Sequence, residues 1–101
     1  MKDIAIFGAG GLGREVACLL SKINEVEPTW NLLGFFDDSI EIGKSISHFG
    51  KILGGIKELN EWSSNLSIAI AIGNPKILES IVLKISNTNI LFPNIIAPTV
   101  S

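Results

Sequence analysis

The sequence predicts an α/β domain: three layers, with a small, mainly parallel sheet of about five strands and helices on both faces. Three observations carry this expectation. Unbroken apolar runs, the mark of strands buried on both faces, alternate with segments of helical periodicity. The first run leads directly into Gly8-Ala9-Gly10-Gly11-Leu12-Gly13, and the second ends on the acidic pair Asp37-Asp38. Alternation of this kind implies right-handed crossovers and gathers the loops that follow the strands at one edge, where α/β folds bind ligands.

The first strand is the run Ile4 to Phe7. After it, Gly8, Gly10 and Gly13 satisfy G-x-G-x-x-G, so the pattern is Rossmann-like. The first glycine permits a tight turn, the second lets backbone approach a diphosphate, and the third lets the helix pack on the strand. Val16, Leu19, Leu20 and Ile23 then fall on one helical face, so backbone N–H groups at the start of that helix face the bound anion. Leu32 to Phe36 forms the second strand, and Asp37 and Asp38 stand where an acid accepts from ribose hydroxyls. Asp-Asp-Ser after a strand is also ordinary turn chemistry, because Asp side chains bond nearby N–H groups.

The polar, glycine-bearing stretch Ser39 to His48 reads as a mobile loop, Lys51-Ile52-Leu53 as a short strand, and Ile56, Leu59 and Trp62 as a brief helix face after Gly54-Gly55. Leu66 to Ile72 is a strongly apolar strand that stops at Gly73. Asn74 and Pro75 make a helix start, Asn capping and Pro occupying the first helical position. Ile77, Leu78, Ile81, Val82 and Ile85 complete that helix's stripe, and a last strand spans about Asn89 to Phe92. Gly73 and Asn74 join the glycine loop and the acidic pair at the predicted binding edge. No internal repeat or low-complexity tract interrupts the pattern.

A length of 101 residues makes one domain, large enough for a core but short for a complete six-stranded dinucleotide fold. A net charge of −2, with 8 basic residues and no basic cluster, argues against a nucleic-acid partner. One cysteine, Cys18, allows no internal disulfide and no cysteine metal cluster, and it suits a reduced, cytoplasmic setting. No stretch approaches the roughly 18 apolar residues that span a bilayer, and no charged-then-apolar leader opens the chain. Even so, the mean hydropathy of +0.44 is high for a small domain, and Ile90 to Val100 carries no charge, so this apolar stretch is expected to be covered by an interface.

Five motifs taken together resemble one known family. They are Gly8 to Ala17, Trp30-Asn31-Leu32-Leu33-Gly34-Phe35-Phe36-Asp37-Asp38, Ile52-Leu53-Gly54-Gly55, Ala71-Ile72-Gly73-Asn74-Pro75 and Phe92-Pro93-Asn94-Ile95-Ile96-Ala97-Pro98. In this order they resemble the N-terminal domain of bacterial sugar acyltransferases, the sialic acid O-acetyltransferases and the bacillosamine-pathway N-acetyltransferase that acts on a UDP-amino-sugar. The resemblance spans nearly the whole chain.

It implies that residues 1–93 form a sugar- or nucleotide-sugar-binding domain. Residues 94–101 would lead into a left-handed β-helix of hexapeptide repeats, which in the family forms trimers, binds acetyl-CoA and supplies the catalytic histidine. On this expectation the chain alone is inactive, binds no cofactor or metal and holds no catalytic residue. Gly8, Gly10, Gly11, Leu12 and Gly13 would meet the diphosphate or sugar, Asp37 and Asp38 the nucleoside or amino-sugar, and Gly73 and Asn74 would line the same pocket. Leu12, Leu78 and Ala97 depart from a histidine, an arginine and a histidine common in the family, which bears on the particular sugar more than on the fold.

Two alternatives stand beside this reading: a small NAD- or nucleotide-binding module, and a structural domain of a trimeric assembly. The remaining candidates read as ordinary residues. His48 lies in a polar loop without a triad partner, Cys18 reads as a small buried apolar residue, Trp30 and Trp62 as packing residues, and Lys76 as solvated. Arg14 stands close enough to the glycine loop in sequence to touch a phosphate, or equally to pair with neighbours and solvent.

Overall fold

The computed structural model describes residues 1–95. Strand β1 (Lys2–Phe7) carries the apolar run, and its residues Ile4 to Phe7 are all buried. Helix α1 (Gly11–Val26) follows and turns Gly13, Ala17 and Leu20 inward. Its end is tied to β2 (Trp30–Phe36) by Asn24, whose side chain accepts from Thr29 N–H (3.0 Å) and Trp30 N–H (2.9 Å) and donates to the Trp30 carbonyl (2.7 Å).

The stretch expected to be a mobile loop holds a further element. Ser45–Ile46 (β3) pairs antiparallel with β4 (Gly50–Gly54), and Ile46 is 3% exposed. Burying that isoleucine anchors the hairpin, which two polar neighbours hide from a reading by periodicity. Ser47 at the hairpin tip has a left-handed φ of 51°, and His48 beside it is exposed with its ring on Phe49 (4.2 Å between centroids).

Helix α2 (Ile56–Asn60), strand β5 (Leu66–Ile70), helix α3 (Pro75–Lys84) and strand β6 (Ile90–Leu91) complete the described fold. Among the described residues the sheet has six strands in the order β3-β4-β2-β1-β5-β6, and all of these pairings except β3 with β4 are parallel. From the central β1 the chain moves outward through β2 and β4, then crosses to the other side for β5 and β6. The switch in direction therefore lies between β1 and β5, where open α/β sheets hold their ligands.

Two apolar layers sandwich the sheet. One joins Ile4, Ile6 and Phe35 to Ala17 and Leu20 of α1, with Trp30 at 8% exposed. The other joins Ala5, Phe7, Phe36 and Ile68 to Leu59 of α2, with Ile81 and Ile85 of the α3 region packed against it. Trp62 meets Phe36 edge-on, with centroids 5.8 Å apart and planes at 83°, so both tryptophans pack as expected. Cys18 departs from expectation. It is exposed on the outer flank of α1, one position past the buried Ala17. Among the described residues, no helix is long and apolar enough to cross a membrane. The expected lead-in at 94–101, including Ala97, lies beyond the described residues from position 96 onward.

Candidate ligand site at the carboxyl edge of the sheet

The glycine loop divides into two kinds of position. Gly8 has a φ of +105°, and a Cβ there would lie 2.7 Å from the Ala71 carbonyl oxygen. A Cβ on Gly13 would collide with the Gly8 carbonyl oxygen. These two glycines let β1, α1 and the end of β5 approach one another. A Cβ on Gly10, Gly11 or Gly73 meets nothing within 4 Å, so these three border open space.

Hydrogen bonds stitch the loops of this edge together. Gly8 N–H donates to the Phe36 carbonyl (2.8 Å), Ala71 N–H to the Phe7 carbonyl (2.8 Å), and Asp37 N–H to the Gly54 carbonyl (2.8 Å). The Asp37 carboxylate reaches across to the glycine loop, its Oδ2 accepting from Ala9 N–H (3.0 Å). Its Oδ1 accepts from Ser39 N–H (2.9 Å) and from the Ser39 hydroxyl (2.6 Å). Partial burial opposes the charge of Asp37, but the Ser39 hydroxyl, Ala9 N–H and Ser39 N–H outweigh it and hold the carboxyl below its ordinary value of 3.8.

Asp38 faces the other way. Its Oδ1 accepts from Ile56 N–H (3.0 Å) at the start of α2 and lies over Gly55, where a Cβ would collide with it. Glu58 Oε1 accepts from Gly55 N–H (2.7 Å) at the same helix end. Asn74 Oδ1 accepts from Lys76 N–H (3.0 Å) and Ile77 N–H (3.3 Å), the cap that its sequence context predicted.

The three helix starts at this edge therefore differ. Side chains serve α2 and α3, whereas Gly10 caps α1 with no side-chain bond. The first helical bond of α1 runs from Arg14 N–H to the Gly10 carbonyl (3.1 Å). The N–H groups of Gly11, Leu12 and Gly13 precede it and have no helical carbonyl to donate to. Oriented donors with the positive end of a helix dipole suit an anion of phosphate size. Leu12 is 42% exposed beside them. Among the described residues, no group of three His, Cys, Asp or Glu side chains could hold a metal ion.

Of the predicted residues, Gly8 thus lies against Ala71 and Asp37 joins the glycine loop at Ala9, whereas Asp38 bonds Ile56 at the start of α2 and Asn74 bonds Lys76 and Ile77 at the start of α3. Arg14 lies on the outer flank of α1 with Glu15, Cys18, Leu19 and Lys22. Ser39 and Glu58 belong to this edge although the sequence did not single them out. The signal for Glu58 was its position three residues after Gly55, the spacing of a capping box.

Fold and site together define a Rossmann-like domain with an open helix N-terminus at its switch point. The family model described as the PglD N-terminal domain matches residues 3–85, and the chain belongs to that family. Among solved structures, the acetyltransferase domain of PglB from Neisseria gonorrhoeae FA1090 is similar at 27% identity, with a TM-score of 0.74 over 97% of this chain and 45% of that one. The same domain in complex with acetyl coenzyme A is similar at 29% identity, with a TM-score of 0.66 over 84% of this chain and 38% of that one. This chain therefore spans less than half the length of those chains. No curated protein matches its sequence.

Proposed function

We propose that the chain is the substrate-binding domain of an acetyl-CoA-dependent sugar acetyltransferase, and that its ligand is a sugar or a UDP-amino-sugar. One observation carries the reading: the start of α1 is left without a side-chain cap beside the open space at Gly10, Gly11 and Gly73, while side chains serve both neighbouring helix starts. Membership of the PglD N-terminal domain family and likeness to an acetyltransferase domain support it.

In this reading the N–H groups of Gly11, Leu12 and Gly13 hold the diphosphate, with Gly8 and Gly10 shaping the loop around it. Gly73 and Asn74 line the β5 side, and the acidic pair at the end of β2 serves the nucleoside or amino-sugar. The work of these residues is orientation. The acetyl group would pass from the thioester of acetyl-CoA to a sugar hydroxyl or amine, with a histidine outside this chain taking the proton as general base. Holding the acceptor in place can contribute several kcal/mol to such a step. Trimeric assembly through a β-helix domain, a cytoplasmic location and a role in surface polysaccharide synthesis belong to the same proposal.

Calorimetric titration of the purified chain with UDP, a UDP-N-acetylamino-sugar and NAD tests it. The expected result is binding of the UDP-sugar without acetyl transfer by this chain alone. Binding of NAD with indifference to both UDP ligands would overturn the reading in favour of a dinucleotide module.

A further inference from the structure

Asp37 follows the last residue of β2, where a dinucleotide-binding domain places the acid that accepts from ribose hydroxyls. Both of its oxygens are directed to the protein itself. Oδ2 takes the N–H of Ala9, 28 residues earlier in the chain, and Oδ1 takes both the N–H and the hydroxyl of Ser39. Ala9 sits between Gly8, tied by its N–H to the Phe36 carbonyl, and Gly10, the first boundary residue of α1. The bond to Ala9 therefore sets the path of the loop one residue before the open N–H groups begin. An ionised carboxylate is a strong acceptor, and losing its bond to Ala9 would release that loop.

We infer that Asp37 is a positioning residue: through Ala9 it holds the glycine loop in its phosphate-accepting shape. This rests on the proposed function only for the identity of the anion. Ser39 supports the same carboxylate from the opposite oxygen.

The test compares the chain with its Asp37→Ala, Asp37→Asn and Ser39→Ala variants, in two measurements made well below the unfolding range. The first is the amide spectrum and hydrogen-exchange protection of Ala9, Gly10 and Gly11 without ligand. Protection of Ala9 in the parent chain, lost in Asp37→Ala and partly kept in Asp37→Asn, is expected. Unchanged protection in Asp37→Ala would overturn the inference, and this result does not depend on any ligand. Should Asp37→Ala not fold, Asp37→Asn decides, since its amide presents one acceptor oxygen where two stood.

The second measurement is calorimetric binding of inorganic pyrophosphate and of UDP. Positioning predicts that Asp37→Ala weakens both, pyrophosphate by about tenfold for one charge-assisted bond. A fall confined to UDP, with pyrophosphate unaffected, would mean that Asp37 acts at the nucleoside and not through the loop, and would overturn the inference. If neither probe binds the parent chain, the proposed function fails while the exchange measurement still judges the role of Asp37. A role in stability alone would lower Tm without moving either affinity of the folded chain.

Discussion

Gly13 and Gly11 stand two residues apart in one helix and should respond in opposite ways to the same added methyl group. A Cβ at Gly13 collides with the Gly8 carbonyl oxygen, so β1 and α1 must separate to admit it. Gly13→Ala is expected to destabilise the domain by about 1–3 kcal/mol, the range for overfilling a packed site, read from denaturant unfolding. Gly11→Ala meets open space and gains helix propensity, so its stability should stay the same or rise by up to about 1 kcal/mol. Its cost should appear instead in UDP-sugar affinity, because the new methyl group occupies the space proposed for the ligand. Asp37 offers a pH test at the same scale. Its folded pKa lies below the ordinary 3.8, so its contribution to stability is present above that value and is lost as pH falls through the folded pKa. Unfolding measured across the acid range should lose less stability for Asp37→Asn than for the parent chain as pH falls below 3.8.

At the scale of elements, the helix starts are where the sequence was most and least legible. Asn74-Pro75 announced α3 from composition alone, because the capping oxygen and the ring that needs no N–H are local properties. Asn74→Ala should cost about 1 kcal/mol in unfolding free energy by exposing two N–H groups to water alone. Asp38→Ala should cost a similar amount, about 1 kcal/mol, by freeing Ile56 N–H at the start of α2. The sequence placed Asp38 correctly at the edge but not its partner, since Ile56 is 18 residues away and joins it only when β2 and β4 pair. Asp37 and Ala9 are hidden in the same way, by a separation that only the β1–β2 pairing closes. β3 escaped because two residues show no periodicity, and Cys18 because a single step around a helix separates the buried Ala17 from the solvent face. The apolar runs of β1, β2 and β5 were legible because strands buried on both faces need no alternation.

Across the whole molecule, the strand order brings a loop from each half of the fold to the same place. β1 pairs with β2 on one side and β5 on the other, so the glycine loop lies between the end that carries Asp37 and the end that leads to Gly73. A ligand that bridges these loops binds the folded chain and not the unfolded one, so its affinity adds to the stability of the domain as a unit. At a ligand concentration 100 times Kd the gain is about 2.7 kcal/mol. In a domain of about 100 residues each kcal/mol moves Tm by about 4–8 °C, so saturating UDP-sugar should raise Tm by more than about 10 °C. NAD at the same concentration should leave Tm within about 1 °C, because a ligand that does not bind the folded state contributes nothing to the linkage. Thermal unfolding at several concentrations of each ligand separates the two cases. A rise that grows with the logarithm of UDP-sugar concentration is the expected outcome, and the same rise with NAD would place a dinucleotide at the junction of β1, β2 and β5.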